Sequence, residues 1–212
     1  MITVKTLVFN PFQVNNYILF DETKECIIID AASSNQDEDN KIIAFIEQNG
    51  LKPVCLLSTH THVDHILGNS SILKKYDIPY KIHTAGKQFL YTAKEHGQMF
   101  GLSVNASPMP TDYIEDNSEI LFGKSSVKAL YTPGHADGSV CFYSENDSIV
   151  ISGDVLFYGS IGRSDLPTGN HDLLIESIRQ KLLVLPTDTI VYPGHGPETT
   201  IGFEKENNPF FS

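Results

Sequence analysis

Between Ser58 and Gly68 the sequence reads Ser-Thr-His-Thr-His-Val-Asp-His-Ile-Leu-Gly, which packs His60, His62, Asp64 and His65 into six consecutive positions. Three imidazoles and a carboxylate held this close would each need a hydrogen-bond partner if buried, and protonated imidazoles would repel one another. A divalent cation resolves both conflicts, because imidazole nitrogen and carboxylate oxygen are donors that zinc, iron and manganese accept. The run before it, Pro53-Val-Cys-Leu-Leu57, is apolar and of strand length, so the cluster begins where a buried strand ends. Sites of α/β proteins commonly lie at the carboxyl ends of strands.

Three later islands repeat the design. His135 sits in Thr132-Pro-Gly-His after the apolar run Val127 to Tyr131, Asp154 in Ser152-Gly-Asp after Ser148 to Ile151, and His195 in Tyr192-Pro-Gly-His-Gly after Thr189 to Val191. A lone histidine of this kind reads most simply as a turn residue, and Gly-Asp is ordinary turn chemistry. Four strand ends together offer His60, His62, Asp64, His65, His135, Asp154 and His195. That is too many donors for one tetrahedral ion and enough for two ions sharing a carboxylate.

The chain between these islands alternates strands and helices. Thr3 to Phe9, Asn15 to Phe20 and Cys26 to Asp30 read as a strand meander, and Ala31 to Asp39 as a loop supplying an N-cap. Asn40 to Asn49 reads as a helix stopped by Gly50. Asn69 to Tyr76 is expected to be helical, Ile78 to His83 a strand, and Thr84 to Gly101 a partly helical surface stretch carrying His96, Met99 and Phe100. Residues 102 to 118 are expected to be loop. Strands resume at Glu119 to Phe122, Ser126 to Thr132, Val140 to Tyr143 and Ile149 to Ser152. A helix Asp172 to Leu183, a last strand Thr189 to Tyr192 and a polar tail complete the chain. This order implies a single α/β domain over residues 1–212, with two packed sheets and helices outside them.

Composition narrows the partners. The net charge is −11, from 26 acidic and 15 basic residues, with no local basic cluster, so phosphate backbones and anionic membranes are disfavoured. No apolar window reaches the ~18 residues of a membrane span. The N-terminus alternates like a strand and lacks the pattern of a signal peptide, so the expected location is cytoplasmic. Cys26, Cys55 and Cys141 each stand inside an apolar run and read as buried hydrophobes, not as disulfides or thiolate ligands.

Taken together, Thr-His-x-His-x-Asp-His at 59–65, Thr-Pro-Gly-His at 132–135, Gly-Asp at 153–154, Gly-Ser-Ile-Gly-Arg-Ser-Asp-Leu at 159–166 and Pro-Gly-His-Gly at 193–196 resemble the metallo-β-lactamase-fold hydrolases. Within them the chain is similar to the short, glyoxalase II-like thioesterases, and its ending Thr-Thr-Ile-Gly-Phe-Glu-Lys-Glu-Asn-Asn-Pro-Phe shares that likeness. The resemblance implies a four-layer αβ/βα sandwich. It also implies one ion on His60, His62 and His135, a second on Asp64, His65 and His195, and Asp154 bridging, with Asp64 and Asp154 as the catalytic carboxylates. Two divalent ions, Zn2+ in the first instance with iron or manganese as alternatives, would activate water against a small-molecule thioester such as S-lactoylglutathione. The C-terminal helical domain that binds glutathione in full-length glyoxalase II is missing from the likeness.

Arg163 and Asp165 are expected either to orient a ligand or to stiffen their loop. Tyr158, Lys87 and His171 read as surface or packing residues. The alternatives on the same scaffold are a mononuclear iron persulfide dioxygenase using His60, His135 and Asp154, and a non-catalytic metal-binding module. The oligomeric state is left open.

Overall fold

The computed structural model describes residues 1–101 and 107–211. Two six-stranded sheets lie face to face. The first follows chain order: β1 (Thr3–Phe9), β2 (Val14–Phe20), β3 (Glu25–Ile29), β4 (Lys52–Leu57), β5 (Tyr80–His83) and β6 (Asp112–Ile114). Its first three strands pair antiparallel, and β3 to β6 run parallel. The second sheet contains β7 (Glu119–Phe122), β8 (Ser125–Tyr131), β9 (Val140–Ser144), β10 (Ile149–Gly153), β13 (Ile190–Pro193) and β14 (Thr199–Thr200), in the spatial order β14-β13-β10-β9-β8-β7. A small ribbon, β11 (Leu156–Phe157) and β12 (Ser160–Ile161), follows β10.

The reason for four layers is legible in the strands. Successive side chains point to opposite faces, and here both faces are apolar. In β2, β3 and β4, residues Ile18, Ile28 and Leu56 pack outward against Ile42, Ile46, Ile72 and Leu90. Those four belong to α1 (Gln36–Gln48), α2 (Asn69–Tyr76) and α3 (Lys87–Met99). The alternate residues Leu19, Ile27, Ile29 and Leu57 turn inward to meet Val127, Val140, Phe142 and Ile151 of the opposite sheet. Beyond that sheet, Cys141, Val150 and Val191 pack on Leu174 of α4 (His171–Ser177), on Ile178 and Leu182, and on Ile201 of α5 (Ile201–Asn207). The expected αβ/βα sandwich is the observed fold. The three cysteines are buried and unpaired.

Several local expectations needed correction. The first helix starts at Gln36, not Asn40, because Asn35 caps it by accepting from the Glu38 amide, and Asp37, Glu38 and Asp39 complement its N-terminal dipole. Asp112–Ile114, expected to be loop, is the edge strand β6, held by parallel pairing with β5; the rest of that expectation at 102–106 lies outside the described residues. The helix from His171 changes to π-helix over Ile178–Leu182. The polar tail contains β14 and α5, the latter capped by Thr200 accepting from the Phe203 amide. Among the described residues, no helix is long and apolar enough to cross a membrane.

Candidate metal centre

All four strand ends meet at one edge of the sandwich. The loop after β4 carries His60, His62, Asp64 and His65, β8 leads to His135, β10 to Asp154 and β13 to His195. The two sheets are fastened together at this point. Val14 bridges His195, the Asn15 amide donates to the Gly194 carbonyl at 2.7 Å, and Tyr17 Oη donates to the Pro193 carbonyl at 2.6 Å.

The seven predicted residues converge as two triads. His60, His62 and His135 form one group, Asp64, His65 and His195 another, with the donor atoms of each within 4.8 Å of one another. Asp154 reaches both: its carboxylate oxygens stand 3.7 Å from His135 Nε2, 3.4 Å from His65 Nε2 and 3.5 Å from His195 Nε2.

The hydrogen bonds behind the ring explain which nitrogen faces inward. His135 Nδ1 donates to the Arg163 carbonyl and His195 Nδ1 to the Phe12 carbonyl, each at 2.8 Å. His65 Nδ1 donates to Asp30 Oδ2 at 3.0 Å. Thr59 Oγ1, which donates to the same Asp30 oxygen at 2.7 Å, is left to accept from His60 Nδ1 at 3.2 Å. Each of these four rings therefore aims its Nε2 at the centre.

That arrangement is electrostatically unsatisfied without a cation. The Nε2 lone pairs of His60 and His135 face each other at 3.3 Å, with His62 Nδ1 3.0 Å from His135. His65 Nε2 and Asp154 Oδ1 are buried with no hydrogen-bond partner. Burial holds His60 well below the ordinary imidazole range, helped by the neighbouring histidines, and pushes His62 down to about 3. Burial also opposes charge on His65, but the carboxylates of Asp154, Asp64 and Asp30 outweigh it and raise the ring well above its usual value. The same attraction overcomes burial at Asp154 and holds its carboxyl well below the carboxylate range. The donor set fits divalent cations. Glycine makes room for it: a Cβ on Gly194 would collide with Asp154 Oδ1 and His65 Cε1.

His62, Asp64, His135, Asp154 and His195 form the floor of a cleft of about 360 Å³ that also touches Phe12, Phe89, His96, Phe100, Arg163 and Leu166. Thus the C-terminal end of α3, expected to be plain surface, forms a wall. The Arg163 guanidinium is exposed and doubly bonded to Asp165 at 2.8 Å, while its backbone carbonyl orients His135, so both readings of this loop hold in part. Tyr158 stacks on Phe203, Lys87 lies over Tyr113, and His171 packs near Phe210; none of the three touches the cleft. Sequence reading missed Asp30 and the carbonyls of Phe12 and Arg163. For Asp30 a signal existed, since it closes the apolar run Cys26–Ile29 at the same edge.

Comparison with known proteins agrees with this geometry. The family model described as "Metallo-beta-lactamase superfamily" matches residues 9–195. A probable metallo-hydrolase of Bacillus subtilis, YqgX, is 40% identical over 95% of this chain and 94% of its own length. The hydroxyacylglutathione hydrolase GloC of Haemophilus influenzae is 34% identical over 99% and 98%. Among solved structures, the B3 metallo-β-lactamase BLEG-1 superposes with a TM-score of 0.90 at 33% identity, covering 99% of this chain and 100% of that one. TTHA1623, solved in a di-iron-bound form, gives 0.88 at 35% identity, covering 98% and 100%. The chain belongs to the metallo-beta-lactamase superfamily of metal-dependent hydrolases.

Proposed function

We propose that the chain hydrolyses small acyl thioesters with two divalent ions, one held by His60, His62 and His135, the other by Asp64, His65 and His195, and Asp154 shared. The observation that carries this is the pair of triads with one carboxylate between them, at the floor of an open cleft. Bound there, the ions lower the pKa of water and polarise a carbonyl oxygen.

The chain's own residues do the rest. Arg163, Phe12, Asp30 and Thr59 fix the ring tautomers so that no reorganisation is needed when charge develops. Thiolate leaves without needing a proton, which suits a floor made of metal-type donors. The likeness to GloC over nearly the whole of both chains supports thioesters as the class. The presence of the Asp64, His65 and His195 triad favours two ions over the mononuclear iron reading. Zinc is our first choice of metal; the di-iron form of TTHA1623 makes iron the first alternative.

Elemental analysis and S-lactoylglutathione hydrolysis on one purified sample test the proposal, with a chromogenic cephalosporin alongside because BLEG-1 is a β-lactamase. About two ions per chain, with thioester turnover absent from His62→Ala, is the expected result. Cephalosporin turnover without thioesterase activity, or one iron and no hydrolysis, overturns it.

A further inference from the structure

The walls of the cleft differ in kind from its floor. Phe12, in the turn between β1 and β2, meets Phe100 at the end of α3 edge to face, with ring centroids 5.7 Å apart. Phe12 is 38% exposed and Phe100 57%, so two large aromatic side chains stand partly in water at the mouth of a site. Phe89, one helical stretch earlier on α3, is buried and places its ring edge-on to His62 at 5.0 Å. Leu166 faces them from the opposite loop.

Positive charge is scarce along this wall. Among the described residues lining the cleft, Arg163 is the sole lysine or arginine, and its guanidinium is already engaged by Asp165. With a net charge of −11 around it, the cleft offers an anionic substrate tail little attraction beyond the centre itself.

We propose that Phe12, Phe89 and Phe100 form an acyl-group subsite that selects uncharged, apolar and aromatic-sized groups over small hydroxylated ones. The inference rests on the thioester reading and narrows it. Phe89 stands against His62, so an acyl group whose carbonyl is held at the centre would lie beside this aromatic surface, which the Phe12–Phe100 pair extends outward. Phe12 has two parts in this: its carbonyl holds His195 while its ring lines the cleft. Burying a phenyl ring against such a wall is worth roughly tenfold or more in discrimination.

The test uses zinc-loaded protein and N-acetylcysteamine thioesters that differ only in the acyl group: acetyl, lactoyl and phenylacetyl. The expected kcat/KM for phenylacetyl exceeds that for acetyl and lactoyl by about tenfold or more. Phe12→Ala and Phe100→Ala should collapse that ratio toward one, whereas Tyr91→Ala, on an exposed face of α3, should preserve it. Calorimetric binding of phenylacetate against acetate to the same protein gives a reading that needs no turnover. A flat thioester series with equal affinity for the two acids overturns the subsite. Absence of thioester turnover, with phenylacetate still bound more tightly and the difference lost in Phe100→Ala, overturns the thioesterase reading and leaves the subsite standing.

Discussion

The two triads differ in a way that the motif alone does not express. His60, His62 and His135 are all imidazole, and burial pushes His60 and His62 down, so a cation arriving at those two rings displaces no proton. Asp64, His65 and His195 include a carboxylate, and His195 is 27% exposed. Burial works against charge on His65 and His195, yet the surrounding carboxylates raise both rings, so in metal-free protein protons stand where a cation would bind. The first triad is preorganised as a lone-pair cage, the second as a proton-filled site. Metal and proton compete most strongly at the second.

The most damaging change should be Asp154→Ala, which removes the group common to both triads. Metal analysis is expected to find both ions lost, a larger effect than the roughly 10–100-fold typical of outer-sphere changes; retention of two ions would end the shared role. The proton contrast comes next. His65 has a raised pKa, so its proton must leave when the second ion binds. Affinity for that ion should therefore fall as pH drops, by about tenfold per unit where one proton is exchanged, and more steeply than the affinity for the first ion, two of whose rings are held neutral by burial. Competition with a chelator at the two pH values measures both constants, and equal slopes would erase the distinction.

Asp30→Asn should cost the second ion roughly 10–100-fold in affinity, because the amide no longer fixes the His65 tautomer. The first ion should suffer less, since Asp30 reaches His60 only through Thr59. The smallest effect belongs to Arg163→Ala. The exposed guanidinium pairs with Asp165, and the backbone carbonyl that holds His135 survives the substitution. Metal content and thermal stability should both match the unsubstituted protein; loss of the first ion would mean the side chain does what we assign to the backbone.

These contrasts mark where sequence stops being informative. The seven donors could be read because each is a chemically distinctive side chain at the end of an apolar run, and the sandwich because β2 to β4, β9 and β10 are largely apolar on both faces. The atoms that aim the donors are mostly carbonyls of Phe12 and Arg163, and a carbonyl is common to every residue. Asp112–Ile114 escaped notice because a three-residue edge strand is defined by its partner more than by its own pattern. The C-terminal helix was hidden by polar residues, one of which turns inward: Glu204 is fully buried and accepts from Thr199, Asn208 and the Gly159 amide.

The bridge between Val14 and His195 has a consequence for how the molecule comes into being. The centre is shared between segments near the two ends of the sequence, so it closes only when the most sequence-distant contacts of the fold have formed. During synthesis His60, His62 and His65 emerge long before His195. The nascent chain thus passes through a stage with half a cage and no second sheet edge to complete it. Metal capture is therefore expected as a finishing step of folding, reporting that both halves have docked.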